Sequence, residues 1–204
     1  MKTLFKVLTY VVFPLLIILL VYLVYDSVMQ PVRFQKEVDR REAVAIDRLM
    51  SIRTLQEAYK EANRRFLSTT DSLIDFYKNG RITIVRQIGS MDDSLAVAEG
   101  RVSRDSIEIM VRDTLLKGKG ALIDSIKFIP FSGGKLIHME SVIRKVSGIE
   151  IPLFEATMSY DDLLKGLDRQ LVVNLKAEKE DMGQYPGLKV GDINNPNNNA
   201  GNWE

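Results

Sequence analysis

The sequence predicts an α+β fold: an N-terminal transmembrane helix, a long amphipathic, coiled-coil-like helix, and a small antiparallel-sheet domain with short helices. Three observations carry this. Nineteen uncharged residues run from Val7 to Tyr25, between Lys6 and Asp26. Helix formers then continue from Val32 to Tyr77 without a glycine or proline. Beyond Gly80 the apolar residues alternate with polar ones at period two, as strands require.

In a helix, the first run reaches about 29 Å, the thickness of a bilayer's hydrocarbon core. A transmembrane helix is expected over 7–28, after a short basic tail over 1–6. A cleaved secretory signal competes with this reading, because Lys2 and Lys6 form a basic segment ahead of the apolar run. The run is longer than such signals use, and Tyr25-Asp26-Ser27-Val28-Met29 offers no small-x-small cleavage site. Tyr10, Tyr22 and Tyr25 lie near its ends, where an amphipathic ring suits the headgroup level. Pro14 is expected as a local kink.

Orientation rests on opposing signs. Lys2 and Lys6 precede the span, whereas Arg33, Lys36, Arg40 and Arg41 follow it, interleaved with Glu37, Asp39 and Glu42. A literal count of basic residues puts the C-terminal part in the cytoplasm. The short basic tail instead fits a signal-anchor, and a bacterial inner-membrane protein with a periplasmic C-terminal domain is the favoured expectation.

Apolar residues make up 46% of the chain and charged residues 27%, the balance of a folded two-sided molecule rather than a disordered stalk. With a net charge of +1 there is no footprint for a polyanion, so nucleic acid is not expected as a partner. Cysteine is absent, which removes disulfides, thiolate chemistry and cysteine-based zinc sites.

The stretch over 32–79 is expected as one helical stalk. Ala45, Ile52, Tyr59, Phe66 and Leu73 recur every seven residues, and Leu49, Gln56, Asn63, Thr70 and Tyr77 fill the second seam row. Glu37 with Arg41, and Glu61 with Arg65, add favourable pairs at four-residue spacing. Ala45, Leu49, Ile52, Tyr59, Phe66 and Leu73 therefore form a candidate partner-helix stripe. Packing of the same stripe on the chain's own globular part is the alternative.

Asn79-Gly80 ends the helix. An α+β head is expected over 80–190, beginning with strands at Arg81–Val85 and Ser106–Val111 and a short helix between them at Asp92–Glu99. Lys117-Gly118-Lys119-Gly120 reads as a turn. Leu122–Phe131, Lys135–Val146 and Glu150–Met158 read as three strands of a meander, separated by Ser132-Gly133-Gly134 and Ser147-Gly148. Asp161–Leu167 reads as helix, and Gln170–Lys176 alternates Leu171, Val173 and Leu175 inward like a strand. Gly187–Gly191 is a candidate edge strand. The asparagine-rich end over 191–204 is expected to be a flexible tail, with Trp203 either loose or docked back.

No catalytic constellation is expected. His138 is the only histidine, which excludes a multi-histidine metal site. Asp92-Asp93 and Asp161-Asp162 stand where helix N-termini are expected, so capping explains them better than a cation. Ser132-Gly133-Gly134-Lys135 lacks the earlier glycine of a phosphate loop and has Leu136 where Ser or Thr is needed. No G-x-S-x-G occurs. Neither an enzyme nor a cofactor is expected.

In layout, a basic tail, one span, a helical stalk and a small α+β head, the chain resembles bitopic envelope-assembly proteins such as the PilN and PilO components of type IV pilus systems. The closing stretch from Tyr185-Pro186-Gly187 to Asn202-Trp203-Glu204 looks like the ending of uncharacterised single-span proteins of the Bacteroidota. Both likenesses imply an envelope setting. The expected function is a membrane-anchored scaffold or interaction module that meets the lipid bilayer and associates with itself or another bitopic protein. The alternative is an anchored domain binding a lipid-like or apolar ligand.

Overall fold

The computed structural model describes residues 8–88, 103–146 and 148–204. The basic tail over 1–6 and the expected Asp92–Glu99 helix, with its Asp92-Asp93 pair, lie outside the described residues.

After one π-helical turn at Leu8–Val12, helix α1 runs from Phe13 to Asn63. Its 51 residues span about 76 Å. Pro14 stands in its first turn, directly after the π-helical turn. Pro31 stands in its interior and removes one ladder bond, yet the helix continues through it. No helix break therefore separates the residues expected as a span over 7–28 from those expected as a stalk from 32.

The single stalk helix over 32–79 is corrected as well. Arg64 turns left-handed at φ 59° and donates its N–H to the Lys60 carbonyl at 2.8 Å, closing α1. A second helix, α2 (Thr70–Asn79), starts afresh behind Thr69, whose hydroxyl accepts the Ser72 N–H. The turn between them allows α2 to fold back on the head.

Strands β1 (Arg81–Ile88) and β2 (Ser103–Met110) form a two-stranded antiparallel arm. A short helix α3 (Val111–Thr114) leads into a 3₁₀ turn at Gly120–Ser125. The strand expected over Leu122–Phe131 is corrected by that turn. Ile123 within that turn, and Ile126 and Ile129 after it, are buried. Beyond the turn Phe128 bridges Leu136, with the Ile129 N–H donating to the Lys135 carbonyl and the Ile137 N–H to the Lys127 carbonyl, each at 2.8 Å.

Strands β3 (His138–Val146), β4 (Ile149–Ser159) and β5 (Gly187–Gly191) make an antiparallel sheet in the order β3-β4-β5. Gly191 is required where it stands: its φ is +72°, and a Cβ there would run into the Phe154 carbonyl. Between β4 and β5 come α4 (Tyr160–Leu163), shorter than the helix expected there, and α5 (Arg169–Asp181). The strand expected over Gln170–Lys176 is corrected by α5. Asp168 caps it by accepting the Leu171 N–H, Val172 is buried, and Val173 turns outward.

One core joins these elements. Val38, Ala45, Leu49, Ile52 and Leu55 of α1, Leu73 and Tyr77 of α2, and Phe154, Met158 and Val190 of the sheet belong to a single buried cluster. The regions expected as a stalk over 32–79 and a head over 80–190 thus bury their apolar surface together. The end expected as a flexible tail over 191–204 is tied to the same body. Gly201 bridges Val190, Asn202 bonds to Gly187 and Lys189, Glu204 pairs with Arg53, and Trp203 packs against the core.

Candidate functional site

The stripe residues come first. Ala45, Leu49 and Ile52 are fully buried beneath the sheet on α1, and Leu73 is fully buried on α2. Phe66 lies in the turn between the helices, its ring centroid 4.8 Å from that of Phe154. Tyr59 is half-buried and meets Phe76 edge-on at 5.0 Å. Ala45, Leu49, Ile52, Phe66 and Leu73 are thus buried within the chain's own core, and Tyr59 is half-buried against α2. Tyr10 is exposed in the π-helical turn, and Tyr22 and Tyr25 are exposed on the apolar part of α1.

The same helix changes character over a few residues. From Phe13 to Val24 its apolar side chains are exposed, while Val38 is buried in the core. Several polar contacts lie at this crossing. Gln30 Nε2 donates to Asp168 Oδ2 at 3.0 Å, tying α1 to the cap of α5. Arg33 pairs with Asp26 at 3.0 Å.

One turn further on, Glu37 accepts from Arg40 and Arg41, and these hydrogen bonds hold its carboxyl down at about 2. Arg41 also donates to the carbonyls of Leu163 and Lys165 at 3.1 and 2.9 Å. Both guanidinium groups stand over the Phe131 ring, at 5.1 and 4.9 Å. Tyr160 donates to Glu42 at 2.6 Å, and burial, helped by that carboxylate, keeps its phenol protonated well above the usual range. Every element near the end of the apolar stretch is thereby fastened to α1.

The other prominent feature is the β1–β2 arm. Its register places Ile82 opposite Ile109 and Ile84 opposite Ile107, so the four share one face. Ile82 packs against the core, whereas Ile84 and Ile107 are exposed. Within the two-stranded sheet each strand has a partner on one side only, among the described residues.

Among the described residues, the side chains singled out for chemistry stand apart from one another. His138 is exposed at the start of β3, opposite Thr157. Asp161 pairs with Lys176, and Asp162 donates its N–H to Ser159, the cap of α4. The Ser132 hydroxyl donates to the Ile129 carbonyl and accepts the Lys135 N–H, shaping the turn without facing a ligand. Among the described residues no group of three potential metal ligands occurs.

Sequence reasoning singled out the Glu37 and Arg41 pair but missed what Arg41 holds. It also missed the Tyr160 and Glu42 contact, which joins residues 118 apart and leaves no local signal. Asp168 was legible in principle, as an N-cap residue three positions before Leu171. Comparison with protein-family models, curated proteins and solved structures gives no match.

Proposed function

We propose that this chain is a non-enzymatic, single-pass membrane protein of the bacterial envelope whose head is an interaction module mounted directly on its anchor. The observation that carries this is α1 itself, one helix whose first part is apolar and exposed and whose second part is the core of the head. A helix long and apolar enough to cross a membrane ends inside a folded domain, so span and head share a rigid element.

The layout differs from a tip on a long stalk. Gln30, which holds Asp168, is five residues beyond Tyr25, or about 7.5 Å along the axis. If Tyr25 marks the edge of the hydrocarbon core, the start of α5 stands at the outer limit of the headgroup layer. The head sits on the inner membrane's periplasmic surface and faces partners that are themselves held there.

With the stripe used internally, association passes to the β1–β2 arm. A lone two-stranded ribbon is marginal in water, and its open edges and the exposed Ile84 and Ile107 suit pairing with a second copy or another bitopic protein. The chain has no cysteine, so single cysteines can be scanned cleanly in membranes. Cysteines at Ile84 or Ile107 are expected to give cross-linked species, and one at Ile52 none. Monomer at every arm position would reject the module. A reporter fused at the C-terminus checks the periplasmic orientation separately.

A further inference from the structure

A cleft of about 270 Å³ lies between α1 and the 3₁₀ turn Gly120–Ser125. Val44, Leu116, Leu122, Ile123 and Ile126 line it, and Val44 and Leu122 are exposed. Arg48 is half-buried in the same cleft. Its Nη1 donates to the carbonyls of Ser125 and Phe128, at 3.0 and 2.5 Å, which uses both hydrogens of that nitrogen.

A guanidinium carries five N–H donors, so three remain on Nε and Nη2. No carboxylate pairs with Arg48 among the described residues, and burial alone lowers its proton affinity. Asp47, the acid that lines the cleft, is engaged by Lys119. A cation with spare donors in an apolar cleft is complementary to an anion carrying an apolar chain.

We propose that this cleft binds a short aliphatic carboxylate, its head on the free N–H groups of Arg48 and its chain along Val44, Leu116 and Leu122. The cleft, at about 270 Å³, is of the order of a short single-chain ligand such as octanoate. Height sets the source: Asp47 stands 22 residues beyond Tyr25 on α1, about 33 Å along the helix. With α1 inserted as proposed above and Tyr25 at the edge of the hydrocarbon core, a lipid still seated in the bilayer does not reach that far, so the ligand arrives from water. The proposal is independent of what the β1–β2 arm binds.

The test uses the full chain in lipid nanodiscs, irradiated with a diazirine-bearing octanoate, with adducts located by peptide mass spectrometry. Adducts are expected in the segments over 44–51 and 116–126, displaced by octanoate at roughly tenfold lower concentration than by octanol. Arg48→Met should reduce labelling there by a similar factor. Leu122→Glu should do the same without touching Arg48, and its exposed position leaves folding intact, as the Trp203 emission will report. Adducts confined to the apolar part of α1, equal displacement by octanol, or unchanged labelling in a folded Leu122→Glu protein would overturn the proposal. Displacement by a leucine-terminated peptide at lower concentration than octanoate would also overturn it, assigning the cleft to a chain terminus.

Discussion

Gln56 and Leu67 exchange two hydrogen bonds: Gln56 Nε2 donates to the Leu67 carbonyl at 2.7 Å, and Gln56 Oε1 accepts the Leu67 N–H at 2.9 Å. A fully buried side chain thus does for one residue what a neighbouring strand does for its backbone. It closes the turn that folds α2 back along α1. Read as a heptad position, Gln56 looked like a polar defect in a helix seam. In the fold it satisfies a loop that would otherwise leave its backbone groups without partners.

Gln56→Leu keeps the bulk and removes both bonds. The Leu67 N–H and carbonyl are then left without partners, a loss of about 2–3 kcal/mol. Denaturation of the detergent-solubilised chain, followed by Trp203 emission, should show this drop. An unchanged midpoint would mean that the turn does not depend on Gln56.

Tyr160→Phe removes the hydrogen bond to Glu42 while keeping the ring. The cost should be about 1.5–3 kcal/mol, the range for a bond to a charged acceptor. The difference in phenolate absorbance between the unmodified protein and Tyr160→Phe should be nil at pH 11, because burial and the nearby carboxylate both disfavour ionisation. Ionisation at the ordinary tyrosine value would show that the contact is open to water.

Glu37 titrates at about 2 in the folded chain, below its ordinary value of 4.5, because Arg40 and Arg41 donate to its ionised form. A depressed carboxyl contributes stability that is complete above the unfolded value and lost as pH falls through the folded one. The loss should therefore fall between about pH 4.5 and 2. Carbon-detected NMR titration of the Glu37 carboxyl should give the low midpoint, and Glu37→Gln should remove this part of the acid sensitivity. A midpoint near 4.5 would mean that the pairs do not persist in solution.

Asn202→Ala deletes the side-chain bonds to the Gly187 carbonyl, at 2.9 Å, and from the Lys189 N–H, at 3.0 Å. These hold the C-terminal end against β5. Stability should fall by about 1–2 kcal/mol, and Trp203 emission should move to longer wavelength. No shift would indicate that the indole docks without the asparagine.

Sequence reading placed the strands well: β1 and β2 fall on runs read by period two, β3 and β4 on β-rich runs set apart by glycine turns, and β5 on the candidate edge strand. It failed where two periods fit the same residues. Leu171, Val173 and Leu175 alternate like a strand, yet the cap at Asp168 and the buried Val172 belong to a helix. Leu122 and Ile123 sit in a β-rich composition but belong to a 3₁₀ turn. The break at Arg64 used neither glycine nor proline, and only the cap at Thr69 marked it. The asparagine-rich end could not be read as ordered, since its bonds reach residues far away, such as Arg53. The cleft at Arg48 is built from α1 and a turn that composition had assigned to a strand.

The central claim is that α1 enters the bilayer and continues unbroken into the head. Nitroxide labels scanned from 13 to 45, one position at a time in liposomes, test it most directly by power saturation against oxygen and a water-soluble nickel complex. Positions before Tyr25 should favour oxygen and those after Asp26 nickel, with a 3.6-residue oscillation that keeps its phase through Pro31. Nickel access along the apolar stretch, or an oscillation lost between 28 and 34, would contradict the account.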